Sequence, residues 1–131
     1  MRATFGSFSG PCDQADAFTQ ALAQAVGALR ARGTLTVASA GNAANKSQIG
    51  APACIAGAIA VGAVYDGNVG TISFGCTDGS TKADKVACFS NSSSAVDLLA
   101  PGAPVSSAGI GGGVSTFLGT SQACPEAAGA A

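Results

Sequence analysis

The residues best suited to chemistry lie near the end of the 131-residue sequence, in Gly119-Thr120-Ser121-Gln122-Ala123-Cys124-Pro125-Glu126-Ala127-Ala128-Gly129. A glycine turn into an alanine-rich segment predicts a helix that begins with Ser121 in its first turn and runs to Ala131. The first N–H groups of a helix have no partner within it, and the dipole is positive there. A serine at that place suits nucleophilic attack on a carbonyl, which leaves an oxyanion to be stabilised. The plainer alternative is that Ser121 or Thr120 only caps the helix. The sequence has no histidine. That excludes a histidine base, a histidine metal ligand and a complete Ser-His-Asp triad within these residues. A Gly-x-Ser-x-Gly elbow is also missing, which argues against an esterase-type hydrolase.

The elements that must hold this stretch read as α/β. After an extended lead-in to Pro11, Asp13 suits an N-cap, Asp16 falls in the first turn, and Gly33 follows Arg30 and Arg32 as a stop. Phe18, Leu22, Val26 and Leu29 recur at helical spacing and predict one apolar stripe. Leu35 to Ala38 reads as a buried strand ending at Ser39-Ala40-Gly41-Asn42, and Ile55 to Val64 as a second apolar run. Strand, crossover and buried strand imply a parallel sheet. Shorter strands are expected near Thr71–Phe74, Ala95–Leu99 and Thr116–Leu118, with a flexible loop at Gly109–Gly113. Residues 1–131 read as one domain without internal repeats.

Composition narrows the function classes. Six basic against seven acidic residues give a net charge of −1, with 47% hydrophobic and 10% charged positions. No basic surface is available for a polyanion, so nucleic acid is not an expected partner. The hydrophobicity excludes disorder. No apolar run reaches the ~18 residues of a membrane span, and no basic-then-apolar signal segment follows Met1. The abundance of alanine and glycine suits close packing of helices and strands.

The five cysteines form no C-x-x-C pair, which argues against a zinc ribbon or a thioredoxin-type site. Cys76 and Cys88 bracket a polar loop that reads as an excursion tied at its base. A Cys76–Cys88 disulfide is expected, then Cys12–Cys54, with Cys124 left free; the alternative is five buried thiols. Pairing implies an oxidising, extracellular compartment. Asp66, Asp78, Asp84, Lys46, Lys82 and Lys85 read as solvated surface.

The Gly119–Gly129 stretch resembles the nucleophile motif of the subtilisin-like serine proteases (peptidase S8), with matches at Gly119, Thr120, Ser121, Ala123, Pro125, Ala128 and Gly129. Three further blocks agree in order: Ala40-Gly41-Asn42, Ile59 to Val64, and Phe89-Ser90-Asn91 followed by Asp97 to Gly102. The resemblance implies a three-layer α/β fold, with a mostly parallel sheet between helices. It implies that Ser121 is the nucleophile of a peptide-bond hydrolase and that Asn42 donates to the oxyanion; alone, Asn42 would read as a turn-capping amide. It also implies that Phe5-Gly6 pairs with an extended polypeptide substrate, while Ser39-Ala40-Gly41 walls the specificity pocket opposite, the substrate adding as a strand between them. Pro52 falls where the family has a cis proline. Asp97, with carbonyls near Ala56 and Ala58, falls where many members hold a structural calcium or weaker cation; no cofactor is required, and a solvated aspartate is the alternative.

The sequence departs from the family pattern at Gln122 and Glu126, where methionine and a non-catalytic histidine are usual, and in a longer loop between Cys76 and Cys88. In the family the triad order is Asp, His, Ser, so the first two are expected upstream of Met1. The expectation is therefore the C-terminal half of a secreted, monomeric endopeptidase, truncated at both ends and inactive alone. The rival is a non-catalytic α/β relic that binds peptides.

Overall fold

A computed structural model describes residues 5–131. In chain order its elements are β1 (Phe5–Phe8), α1 (Ala17–Arg30), β2 (Thr36–Ser39), β3 (Ile49–Ala51), β4 (Ala58–Val64), β5 (Ile72–Ser73), β6 (Thr77–Asp78), β7 (Leu98–Pro101), β8 (Val105–Ala108), β9 (Val114–Phe117) and α2 (Thr120–Gly129). The centre is a parallel sheet in the order β2-β4-β7. Thr36 pairs with Ala58 and Ser39 with Val61; on the other side Val61 pairs with Leu98 and Val64 with Pro101.

Alternation along the strands separates the two faces of this sheet. Ala38 and Ala60 join the core that takes in Val26, Leu22 and Ala23 of α1. Their neighbours Val37, Ile59, Val61 and Ala63 join the core that takes in Ala123 and Ala127 of α2. One helix thus covers each face, giving the expected three layers. Alanine at Ala38, Ala60, Ala63, Ala100 and Ala123, all buried, lets the helices come close. The large fully buried side chains, Tyr65, Phe89, Ile49 and Ile55, fill the flanks, each contributing about 1.5–3 kcal/mol by leaving water.

Several sequence expectations shift. The N-cap of α1 is Asp16, not Asp13: Asp16 Oδ1 accepts from Thr19 N–H at 2.8 Å, and Thr19 Oγ1 accepts from Asp16 N–H at 3.0 Å. Two reciprocal bonds outcompete the single cap that Asp13 could form, and Asp13 instead accepts from Ala56 N–H at 3.1 Å. Of the apolar stripe only Val26 is buried, while Phe18 and Leu29 remain exposed; Phe18 meets Phe5 edge-on, with ring centres 5.3 Å apart. The second strand begins at Ala58, since Pro52 to Gly57 forms turns. β7 extends through Pro101, which needs no N–H on a sheet edge. Gly109 to Gly113 closes the β8–β9 hairpin, with Gly109 N–H on Gly113 O at 2.7 Å. α2 ends at Gly129, capped by Ala130, short of Ala131.

Cys12 bonds to Cys54 and Cys76 to Cys88, while Cys124 is free, as expected. The Ala51–Pro52 bond is cis, as the resemblance implied, and so is Ala103–Pro104. Asp78 is not solvated surface, whereas Lys85, which pairs with it, stays partly exposed. Asp78 is buried and accepts from Tyr65 O–H at 2.9 Å and Cys88 N–H at 2.7 Å, and it pairs with Lys85 Nζ at 2.6 Å. Burial alone would raise its pKa, but these donors outweigh it and leave the carboxyl below its ordinary range. Burial, then the bond to Asp78, pushes the Tyr65 hydroxyl well above its ordinary pKa.

Candidate active site

Two glycines let the start of α2 sit against the sheet. A side chain on Gly102 would come within 2.7 Å of Ala63 Cβ and 2.8 Å of Gly119 O. Only a bare backbone fits between β4 and α2, and it is tied there by Gly119 N–H on Gly102 O at 2.8 Å. Gly119 has φ +152°, and a Cβ there would lie 3.1 Å from Asn42 Nδ2 and 3.6 Å from Ser121 N. The Asn42 amide and the Ser121 N–H therefore flank the same glycine.

Asn42 follows the end of β2, and its Oδ1 accepts from both Thr120 N–H and Thr120 O–H at 2.8 Å. A backbone N–H can only donate, so this bond fixes which end of the amide is oxygen and turns Nδ2 away from Thr120. Thr120 is 1% exposed, and its Oγ1 also accepts from Gly41 N–H at 3.2 Å. In the first turn of α2, Thr120 N–H goes to Asn42, while Gln122 and Ala123 N–H go to Gly119 O. Among the described hydrogen bonds, the N–H of Ser121 has no acceptor. A free donor beside a side-chain amide, at the positive end of a helix, can hold a developing oxyanion.

Ser121 is exposed and opens onto a cavity of about 660 Å³ that Val105, Ser107, Gln122, Pro125 and Glu126 also line. Pro125 has no N–H to return to the carbonyl four residues back, that of Ser121. Cys124, the other nucleophilic side chain of α2, is half-buried, and burial pushes its thiol pKa up. Cys124 does not line that cavity, whereas Ser121 is exposed and does, so Ser121 is the better placed of the two.

The substrate-wall residues divide. Ala40 N–H binds Val61 O, and Ala40 O accepts from Gly50 N–H and Asn91 Nδ2; Gly41 O accepts from Asn91 N–H. The backbone groups of Ala40 and Gly41 are thus engaged within the fold, while Ser39 lies in β2, an edge strand of the central sheet. Phe5 and Gly6 lie in β1, which pairs with β3 through Phe5↔Ala51 and Phe8↔Ile49. β3 is itself tied to Ala40 through Gly50. Phe5-Gly6 and Ser39–Gly41 are thus both bonded to β3, whose pairing the sequence did not announce.

Asp97 lies apart from Ser121. Its Oδ2 accepts from Ala60 N–H at 2.8 Å and its own N–H donates to Ala60 O at 3.0 Å. With Ala56, Ala58, Ser9 and Ser94 it lines a separate cavity of about 460 Å³. Among the described residues no three His, Cys, Asp or Glu side chains cluster as a metal site, and no helix is long and apolar enough to cross a membrane.

Sequence reasoning assigned no task to Asn91 or to Thr120 beyond a cap. Asn91 is 4% exposed, and its Oδ1 accepts from Ala43 N–H at 3.1 Å and Asn45 N–H at 3.0 Å. The available signal was an asparagine directly after a core-like run, Val86 to Ser90. Lys46, read as solvated, places Nζ 2.9 Å from the carbonyls of both Cys88 and Ser90. Burial lowers its pKa, against the opposing charge of Asp78.

Known proteins are similar to this chain. Subtilisin-like protease 3 of Pseudogymnoascus destructans is 40% identical over 117 residues, which is 87% of this chain and 25% of that protein. Alkaline elastase YaB of a Bacillus species is 37% identical, over 82% of this chain and 24% of that protein. The chain therefore spans about a quarter of the length of these curated relatives. Among solved structures, the self-cleaved protease domain of PatA superposes with a TM-score of 0.67 at 29% identity, covering 95% of this chain and 40% of that one. The prenylagaramide maturation protease PagA gives 0.68 at 26% identity, covering 94% and 38%. The family model for peptidase S8, the subtilase family, matches residues 4–131. A free Ser121 N–H beside Asn42, on this fold and within that match, leads to one conclusion: the chain belongs to the subtilase family.

Proposed function

We propose that this chain supplies the nucleophile and the oxyanion hole of a serine endopeptidase acting on polypeptides. The observation that carries the reading is the unclaimed Ser121 N–H beside the oriented Asn42 amide. Ser121 Oγ attacks the scissile carbonyl carbon, and the carbonyl oxygen gains its charge between Ser121 N–H and Asn42 Nδ2. A base from outside these 131 residues, which hold no histidine, takes the hydroxyl proton and returns it to the leaving amine. Water then cleaves the acyl-enzyme. Ser39–Gly41 walls the pocket, and β1 with Phe5-Gly6 offers the edge for pairing. The two disulfides support a secreted enzyme, and we assign it a monomeric working form.

The test is peptide cleavage by the complete protein. Cleavage is expected there and is lost in Ser121→Ala, while the isolated 131-residue chain leaves the peptide intact. Cleavage that survives Ser121→Ala rejects Ser121 as nucleophile. Binding without cleavage by the complete protein favours a non-catalytic, peptide-binding relic.

The Asp97 cavity fits a weakly held cation rather than a tight calcium cage. It offers one carboxylate, with one oxygen already bound to Ala60 N–H, and otherwise neutral oxygens. Asp97 with the carbonyls of Ala56 and Ala58 would hold the ion and brace the start of β4. Added calcium or sodium is expected to raise the unfolding temperature, and Asp97→Asn to remove that rise; equal rises in both proteins reject the site.

A further inference from the structure

Asn42 can serve as an oxyanion donor only if the loop carrying it, residues 40–46, holds one conformation. That loop has no regular secondary structure of its own. It is moulded on the segment Cys88–Asn91, which the Cys76–Cys88 disulfide ties down. Ala44 N–H donates to Phe89 O at 2.8 Å, Lys46 Nζ to Cys88 O and Ser90 O at 2.9 Å, and Ser92 N–H to Asn45 O at 3.0 Å.

At the centre of these contacts one side chain bonds to both sides of Asn42. Before it, Asn91 Nδ2 donates to Ala40 O at 3.0 Å, and Asn91 N–H donates to Gly41 O at 2.8 Å. After it, Asn91 Oδ1 accepts from Ala43 N–H at 3.1 Å and Asn45 N–H at 3.0 Å. Two backbone N–H groups converge on that oxygen, so the amide cannot be flipped without setting donors against donors. Asn91 is nearly fully buried, so water cannot replace these bonds cheaply. Leucine has the size and lacks the bonds; aspartate accepts but cannot donate to Ala40.

We propose that Asn91 is the positioning residue of the oxyanion site: it does not touch substrate, but it fixes the loop so that Asn42 Oδ1 stays on Thr120 and Nδ2 stays beside Gly119, on the side of the free Ser121 N–H. The proposal rests on the reading of Asn42 as oxyanion donor, yet it predicts a geometry that can be measured without catalysis. Thr120 N–H has Asn42 Oδ1 as its acceptor, so its hydrogen exchange reports the placement of Asn42.

The experiment is amide exchange and side-chain amide NMR on the full chain. In Asn91→Ala, exchange at Thr120 is expected to quicken about tenfold, as for the loss of one hydrogen bond. The Asn42 side-chain signal should shift, while the β4 amides keep their native protection. Asn91→Asp retains the two accepted bonds and guards against a variant that fails to fold. In it, the Asn42 signal should shift and Thr120 exchange should lie between native and Asn91→Ala. An unmoved Asn42 signal in Asn91→Asp overturns the proposal, and so does equal acceleration at Thr120 and throughout β4, which would make Asn91 a general staple of the fold. Neither result depends on turnover, so failure here is distinct from failure of Ser121→Ala to abolish cleavage.

Discussion

Asn42 Oδ1 lies 2.8 Å from both the backbone nitrogen and the hydroxyl oxygen of Thr120, which immediately precedes Ser121. The contact joins the end of β2 to the start of α2 across 78 residues of sequence. It satisfies one helix N–H and leaves the next one, on Ser121, free for a reacting oxygen.

Asn42→Ala in the complete protein is expected to lower kcat by about 10²–10³ with little change in KM, the cost of one preorganised oxyanion donor; that magnitude was established on a subtilisin, not on this chain. Thr120→Val keeps the shape but removes the hydroxyl that bridges Gly41 N–H and Asn42. Steady-state kinetics on the two variants check the pair, and an unchanged kcat in Asn42→Ala rejects the oxyanion assignment.

Ala44 sits in the same loop with φ +54°, where a Cβ is strained by roughly 1–2 kcal/mol. Ala44→Gly is expected to raise stability slightly, since relief of strain exceeds the entropy that glycine adds to the unfolded chain, about 0.4–1 kcal/mol. Denaturant unfolding gives the sign. A clear loss of stability would show that alanine at φ +54° is strained by less than the entropy glycine adds to the unfolded chain.

Asp78 makes stability pH-dependent on the acid side. Its folded pKa lies below the ordinary value of 3.8. Its contribution is therefore complete above that value and lost as pH falls through the lower folded pKa. Tyr65 works at the other limit: with its pKa raised, its contribution is complete below about 10 and lost as pH climbs through the higher folded value. Asp78→Asn should flatten the acid limb of a stability-against-pH curve and cost about 1–3 kcal/mol at neutral pH. An acid limb identical to the native one would place the titrating group elsewhere.

The two disulfides differ in the loops they close, with sequence separations of 42 for Cys12–Cys54 and 12 for Cys76–Cys88. Loop-closure entropy makes the first worth about 4 kcal/mol and the second about 3 kcal/mol. Removing Cys12–Cys54 with paired serines should cost more stability. Removing Cys76–Cys88 should do more to the Asn42 loop, because Cys88 carries both Asp78 and Lys46 contacts. Thermal unfolding ranks the first effect, and Thr120 amide exchange reads the second; the opposite ranking in the exchange rates would detach the Cys88 segment from the site.

The sequence by itself determined the main elements and, through its family resemblance, the layers to expect. Local signals sufficed where one stretch decides its own structure. Helical spacing of apolar residues places α1, buried β-branched runs place β2 and β4, and Gly119 ahead of an alanine-rich segment places Ser121 in a first helical turn. The bracketing of a polar loop by Cys76 and Cys88 was equally local. The exclusion of a histidine base followed from composition alone.

What only the tertiary structure decided involves groups far apart in the chain. Asp16 rather than Asp13 caps α1, because reciprocal bonding to Thr19 is a matter of geometry that both aspartates advertise equally. Asp78 looks like a surface charge by type, yet Tyr65 and Cys88 meet it inside the fold. β3 is three residues long and gains its strand form from β1 and Ala40, so no periodicity marks it. Asn91 stands 51 residues from Ala40, whose carbonyl it holds. A buried amide of that kind is defined by its partners, and those partners come together only when β2, β4 and the Cys88 segment have packed.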